Sequence, residues 1–366
     1  MAERADLLIV GGGPAGLATA VRARLAGLAV TVLDRSRPPI DKACGEGLMP
    51  DAVARLREIG VEPRGLPFRG IRYVDGELRA EGMFPQAGGL GVRRTQLHEA
   101  LVRRAGETGV ELHWDVKALG LEDSGVKTDR GTFQARWIVG ADGLRSRVRR
   151  WAGLDAGPGP HPRFGVRRHY AMAPWSDFVE VTWGPGCEAY VTPVASDQVG
   201  VALLWSGEAR GFDDLLAHLP ALRASLDGVP VSSRDCGVGP LHQRVRAPRS
   251  GNVALVGDAA GYLDAITGEG LAVALHESAA LVEAILAGDL SLYGASWRRI
   301  NRLPNVMTSL VLALERRPRL RRRAIRALAA EPALFSCLLG IHARTLPARD
   351  LGLDGALRLA WRLVAA

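Results

Sequence analysis

Residues 7–16 constrain the fold more than any other part of the chain. Leu7-Leu8-Ile9-Val10 runs directly into Gly11-Gly12-Gly13-Pro14-Ala15-Gly16. The short apolar run reads as a buried parallel strand. After it, Gly11 permits a tight turn, Gly13 lets the backbone approach a pyrophosphate, and Gly16 lets a helix pack closely on the strand. Pro14 and Ala15 open that helix, which extends to about Ala26 and points its N-terminal amides at the phosphates. A second strand, Leu28 to Leu33, ends at Asp34-Arg35. A carboxylate about 20 residues beyond the glycines suits the hydroxyls of a ribose and repels a 2′-phosphate, and Arg35 beside it is grouped with the same site. This unit predicts a dinucleotide and leaves FAD against NAD open.

Two further strand-to-turn junctions follow. Trp137-Ile138-Val139-Gly140 leads into Ala141-Asp142-Gly143-Leu144-Arg145-Ser146-Arg147, and Asn252-Val253-Ala254-Leu255-Val256 leads into Gly257-Asp258-Ala259-Ala260-Gly261. Singly, each is a strand end with ordinary Asp-Gly turn chemistry. In this order and at these separations, the three motifs resemble the FAD-dependent superfamily that holds the single-component flavin hydroxylases and the geranylgeranyl reductases. The resemblance covers most of residues 1–290. It implies an α/β protein: a Rossmann-like FAD-binding domain (parallel sheet with helices), an inserted antiparallel-sheet substrate domain and a helical C-terminus. It implies non-covalent FAD, with Asp142 near its ribose and pyrophosphate and Asp258 at the ribitol and pyrophosphate. A helix beginning near Gly268 or Gly270, with Leu271 in its first turn, would face the flavin N1–O2 edge, where negative charge collects on reduction. Arg94 stands where the superfamily has an FAD-contacting arginine; the other reading is a solvated arginine at a helix start.

The segment Lys42-Ala43-Cys44-Gly45-Glu46-Gly47-Leu48 resembles the Cys-Gly-Glu element of the geranylgeranyl reductases, which lies by the flavin, and its glycines permit close approach to the ring. Thr267-Gly268-Glu269-Gly270 resembles that group's flavin-side loop more than the Pro-x-Gly-Gly-Gln-Gly loop of phenol hydroxylases. Cys44 is either a reactive thiol or a small buried hydrophobe. Glu46 and Glu269 are either acids or helix caps, capping being the expectation for each alone. The Trp-x-Trp-x-Ile-Pro element of halogenases is absent, and Tyr190-Val191-Thr192-Pro193 occupies the corresponding place.

The motifs divide the chain. Residues 1–75, 92–153 and 250–290 are expected to form a discontinuous FAD-binding domain. Residues 76–91 and 160–249 are expected to form the substrate domain, with strands at Phe164–Tyr170, Phe178–Trp183, Glu188–Pro193 and Val199–Leu204 and one helix near Phe212–Leu226. Residues 291–366 read as helical. With 366 residues and 47% hydrophobic content, the chain can bury one large or two moderate cores. It carries no stretch with signal-peptide form and no run of about 18 apolar residues. Its four cysteines show neither disulfide nor metal spacing, so a cytoplasmic setting is expected. The net charge of +8 is concentrated at the C-terminal end, where ten arginines face one acid, Glu315, between Arg298 and Arg326. Such a run is either a solvated face or a contact with an anionic membrane surface. No nucleic-acid-binding module accompanies it.

Two reactions compete. In a hydroxylase, NAD(P)H reduces the flavin, and a flavin C4a-hydroperoxide transfers oxygen to a lipophilic aromatic, phenolic or polyketide-like. His169 or Tyr170 would then orient or deprotonate the phenol. In an ene-reductase, the hydride goes to an isolated double bond of an isoprenoid, and Cys44 or an acid supplies the proton. Hydroxylation is the expectation, reduction the alternative, and a non-catalytic FAD-binding accessory protein the third reading. No second glycine fingerprint marks a separate NAD(P)H domain.

Overall fold

The computed structural model describes residues 5–208 and 210–365. Its helices are α1 (Pro14–Leu25), α2 (Pro50–Glu58), α3 (Arg94–Glu107), α4 (Arg147–Trp151), α5 (Phe212–Leu216), α6 (Pro220–Leu226), α7 (Gly270–Leu286), α8 (Ser291–Glu315), α9 (Pro318–Ala330), α10 (Pro332–His342) and α11 (Gly352–Ala365).

A parallel sheet forms the first layer. Its strands run in the order Val253–Leu255, Gly131–Gly140, Ala5–Val10, Val30–Asp34 and Glu111–Trp114, with the antiparallel Arg249–Ser250 at one edge. The central strands are buried on both faces, which is why they read as continuous apolar runs. Leu7, Ile9, Val32 and Val139 pack under α1, α3 and α7, while Leu8, Leu33, Ile138 and Leu255 fill the opposite face. Register aligns the three motifs: Val10 pairs with Leu33 on one side and Gly140 on the other, and Gly140 pairs with Leu255. The turns after these residues therefore emerge side by side at the carboxyl edge of the sheet, where open α/β sheets bind ligands.

The second sheet has seven strands, in the order Cys236–Val238, Arg163–Tyr170, Gln198–Ser206, Cys187–Ala195, Phe178–Gly184, Gly70–Asp75 and Leu78–Met83. Its pairings are antiparallel except for Phe178–Gly184 against Gly70–Asp75. Gly70–Asp75 thus belongs to this sheet, and the excursion begins near residue 70 rather than 76. The single helix expected over Phe212–Leu226 is two, α5 and α6, broken before Pro220. These two cover one face of the sheet, where Tyr170 packs among Phe212, Leu215 and Leu222. The other face looks toward the parallel sheet and is closed by the C-terminal helices: Val181, Trp183 and Leu204 share a core with Leu312, Ile325, Phe335 and Leu339. Arg321 of α9 is part of that closure. It is buried, hydrogen-bonds Asp75 at 2.8 Å and lies 5.0 Å from the centre of the Trp183 ring.

Candidate functional site

Three helix N-termini and three strand ends meet at one cavity of about 1110 Å³. That exceeds the roughly 300–1,000 Å³ usual for a single small-ligand site. One end is polar and glycine-rich. The other runs beneath the seven-stranded sheet, between Tyr73, Val181, Trp183 and Tyr190 on the strands and Leu314, Ile325 and Phe335 on the C-terminal helices.

The glycines separate by role. A Cβ on Gly16 would lie 1.9 Å from Gly11 O, one on Gly11 would lie 2.4 Å from Ala141 O, and one on Gly12 would strike the Trp114 ring at 2.5 Å. These three hold the turn together. Gly11 also adopts φ +116°, a conformation that favours glycine. Gly13 differs, because its Cβ would meet nothing nearer than the Arg94 guanidinium at 3.9 Å. The space above Gly13 is open and lies at the N-terminus of α1, whose first amides have no intrahelical partner. An open glycine floor, a helix N-terminus and an arginine opposite it are what a pyrophosphate requires, so the residues fit FAD.

Of the residues singled out from sequence, Gly13, Pro14, Ala15, Arg35 and Arg94 line this end of the cavity together with Asp142, Gly257 and Asp258. Gly268, Gly270 and Leu271 line it at the N-terminus of α7, and Cys44, Gly45 and Glu46 face it from the loop before α2. Gly11, Gly16 and Asp34 stand behind the lining. Asp34 accepts Gly12 N at 2.7 Å and Ser36 N at 2.8 Å, so its carboxylate ties the glycine loop to the second strand. Asp142 is likewise engaged by its own chain, accepting Arg147 N at 2.6 Å and Val148 N at 3.2 Å at the start of α4. Burial pushes the Asp258 carboxyl above its usual range, opposed by Lys42, Arg94 and Arg149.

Glu46 is buried and has φ +58°. One carboxylate oxygen accepts Arg94 N at 2.7 Å, the first amide of α3, and the other accepts His169 Nε2 at 2.5 Å. The expected capping role is therefore present, exercised on a helix far along the chain. Glu269 precedes α7 but makes no side-chain cap; its carboxylate lies 3.3 Å from His342 Nδ1. His169 is fully buried, and burial lowers its pKa, with Glu46 opposing. A neutral ring donates from Nε2 to Glu46, while Nδ1 accepts from Ser233 Oγ at 2.7 Å and from Arg167 at 3.0 Å.

The two residues expected to handle a phenol do not reach the cavity. His169 is sealed behind Glu46, and Tyr170, its neighbour on the strand, points to the opposite face beneath α5. Cys44 does reach it. It is exposed, and it lines the cavity beside Gly45 and Glu46. Burial raises its pKa, more than Arg94 lowers it, so the sulfur is held as a thiol. Glu46 N donates to that sulfur at 3.4 Å. Tyr73, pushed up to about 12 by burial, also stays protonated in the lining.

Several supporting residues carry little sequence signal. His98 donates from Nε2 to Gly12 O at 2.8 Å and accepts Ile40 N at 3.3 Å, fixing the glycine turn from below. Arg149 is buried and reaches Ala259 O at 3.2 Å and Leu144 O at 2.8 Å, joining the second and third motifs. Glu277 of α7 accepts Gly257 N at 2.7 Å and Asn301 Nδ2 at 2.8 Å. Only Glu277 had a readable cue, one of two acids, with Glu283, inside a largely apolar helical run.

Residues 4–288 match the family described as FAD binding domain. Among curated proteins, the chain is 28% identical over 329 residues to a menaquinone reductase of Mycolicibacterium smegmatis, covering 81% of this chain and 80% of that one. It is 26% identical over 316 residues to digeranylgeranylglycerophospholipid reductase 2 of Methanosphaera stadtmanae, covering 78% and 80%. Among solved structures, a flavoprotein/dehydrogenase from Cytophaga hutchinsonii superposes with a TM-score of 0.83 at 17% identity, over 99% of this chain and 98% of that one. A geranylgeranyl bacteriochlorophyll reductase-like protein from Thermoplasma acidophilum superposes with a TM-score of 0.68 at 21% identity, over 98% and 96%. At those identities the structures report the fold alone.

Proposed function

The chain belongs to the FAD-binding-domain family and is an FAD-dependent oxidoreductase; from that premise we propose that it saturates a carbon–carbon double bond in the isoprenoid chain of a lipid. The observation that carries this reading is the cavity, which is continuous from the polar Gly13 floor to the C-terminal helices and apolar beyond its cofactor end, where the Cys44 thiol sits. The menaquinone and digeranylgeranyl lipids named in its relatives differ in their head groups and share an unsaturated isoprenoid chain. A channel walled by Val181, Trp183, Leu204 and Phe335 suits that chain better than a compact phenol. The aromatic-hydroxylation reading loses support where His169 and Tyr170 turn away from the cavity.

FAD, once bound and reduced by an electron donor such as NAD(P)H, supplies the hydride. Gly13, Arg94 and the α1 N-terminus would hold its pyrophosphate, and the α7 N-terminus would lie against its ring. Hydride addition to one olefinic carbon requires a proton at the other. Cys44 would give it: its pKa is raised, so the sulfur enters the reaction as a thiol, and the Glu46 amide supports the sulfur as it loses its proton. Glu46, clamped between Arg94 N and His169, fixes the loop that presents Cys44. The apolar walls exclude water from the reacting carbons.

The test is anaerobic turnover. Reduced holoenzyme mixed with a polyprenyl quinone or a geranylgeranyl lipid should yield product heavier by two hydrogens per event, with the flavin reoxidised in step. Absence of saturation without air, together with incorporation of an oxygen atom from O2 into an aromatic substrate, overturns the reading in favour of hydroxylation.

A further inference from the structure

The cavity meets the surface at two chemically different places. At the cofactor end, exposed Arg35, Lys42 and Arg145 rim it. At the far end it opens beside the corner between α8 and α9. There Leu310 lines the cavity and is still 57% exposed, next to Met307, Leu314 and the exposed Arg317. Val306, one turn before Leu310 on α8, is also turned outward. An apolar mouth that faces water is costly unless something covers it.

The charge beside this mouth is one-sided. Arg316, Arg317, Arg319, Arg322 and Arg323 are exposed, and none forms an ion pair among the described residues. Arg321, within the same run, is the structural exception, paired with Asp75. Three of the five lie in the N-terminal half of α9, which has no acid in its first turn. A cation in the first turn of a helix opposes the macrodipole, so Arg319, which lies there, does not serve the helix it occupies. The neighbouring α11 adds outward-facing Leu353, Leu357 and Trp361 at four-residue spacing.

We propose that the α8–α9 corner is a docking surface for an anionic lipid bilayer. The arginines engage lipid phosphates, and Val306 and Leu310 enter the headgroup boundary, so that an apolar chain passes from the bilayer into the cavity without crossing water. Clustered basic residues flanking an exposed apolar patch are the chemistry that binds such surfaces, and the attraction fades with salt. The inference deepens the proposed function, since it names where that substrate comes from; binding itself is measured without substrate or turnover, so the two fail separately.

The experiment is cosedimentation of the FAD-loaded protein with phosphatidylglycerol–phosphatidylcholine vesicles and with pure phosphatidylcholine vesicles, at low and high salt. The parent should bind the anionic vesicles and release at high salt. Replacing Arg316, Arg317, Arg319, Arg322 and Arg323 by Gln should weaken binding at least a hundredfold, with FAD content and circular dichroism unchanged. Five exposed arginines elsewhere (Arg57, Arg64, Arg130, Arg136 and Arg234) replaced by Gln should leave it within threefold. Val306→Asp with Leu310→Asp should weaken it at least tenfold with every arginine present. No binding by the parent, equal loss in the control variant, or retention on duplex DNA in place of vesicles overturns the proposal.

Discussion

Gly13 and Gly16 stand three residues apart in one motif and answer to different neighbours. Gly13 faces open space with no protein atom within 3.9 Å, whereas a Cβ on Gly16 would press on Gly11 O at 1.9 Å. Gly13→Val should therefore fold with a melting temperature near that of the parent apoprotein and bind no FAD, read by absorbance of the purified protein. Gly16→Ala should lose soluble protein altogether. The motif's spacing already separates cradle from brace, and the structure adds what Gly16 braces against: Gly11 O and, at 3.2 Å, the Cβ of Ala141 from the second motif. Spacing has no such hold on His169 and Tyr170. Adjacent strand residues point to opposite faces, and which face meets the cavity is decided by sheet order. Cys44 was legible through its glycine neighbours, and its role now has a numerical expectation. Cys44→Ala should keep FAD and lower kcat for double-bond reduction by about 10²–10⁴-fold, the range for loss of a positioned proton donor. Unchanged kcat with full FAD would remove Cys44 from the chemistry.

At the scale of elements, α7 is more than a dipole aimed at the cofactor. Its Glu277, a full turn and more beyond the N-terminus, holds the backbone of Gly257 in place from beneath. Burial raises the Glu277 pKa to about 8, and Glu188, buried with Arg163, Asp264 and Glu315, is raised to about 8 as well. Both are protonated in the folded protein at neutral pH, while in the unfolded chain they ionise near 4.5. The stability they contribute is fully present below about pH 4.5 and is lost as pH climbs through about 8. Thermal melting should accordingly fall from pH 6 to pH 8.5. Glu277→Gln should flatten part of that slope, with Glu188 retaining the rest, whereas Glu277→Ala should melt lower at every pH, because an unpaired buried amide costs about 1–3 kcal/mol. A slope identical in parent and Glu277→Gln would refute the assignment. The strands ending in glycine turns were legible because their signal is local. The assignment of Gly70–Asp75 was not, since its partner Phe178–Gly184 lies about a hundred residues away and only that pairing moves it from one sheet to the other.

Across the whole molecule, the C-terminal helices close a chamber that the first 290 residues leave open. Arg163 reaches Glu315 at the end of α8 and Arg321 reaches Asp75, so buried ions fasten this wall to the sheet at two points. Ala324 of α9 lines the chamber and is small and buried. Ala324→Trp should shorten the usable depth, shifting kcat/KM toward shorter isoprenoid chains by tenfold or more while leaving FAD content alone; equal kcat/KM at all chain lengths would show that substrates do not extend that far. From the sequence this region read as a helical, arginine-rich tail, and its role as a wall depends on contacts to strands more than a hundred residues earlier. The register that aligns Val10, Gly140 and Leu255 has a consequence during synthesis. The pyrophosphate floor is made by residues 11–16, yet its neighbours arrive with the third strand end at Leu255 and with α7, which begins at Gly270. A growing chain therefore carries its first glycine turn without its partners until α7 has been made, and cofactor capture follows the third motif rather than the first.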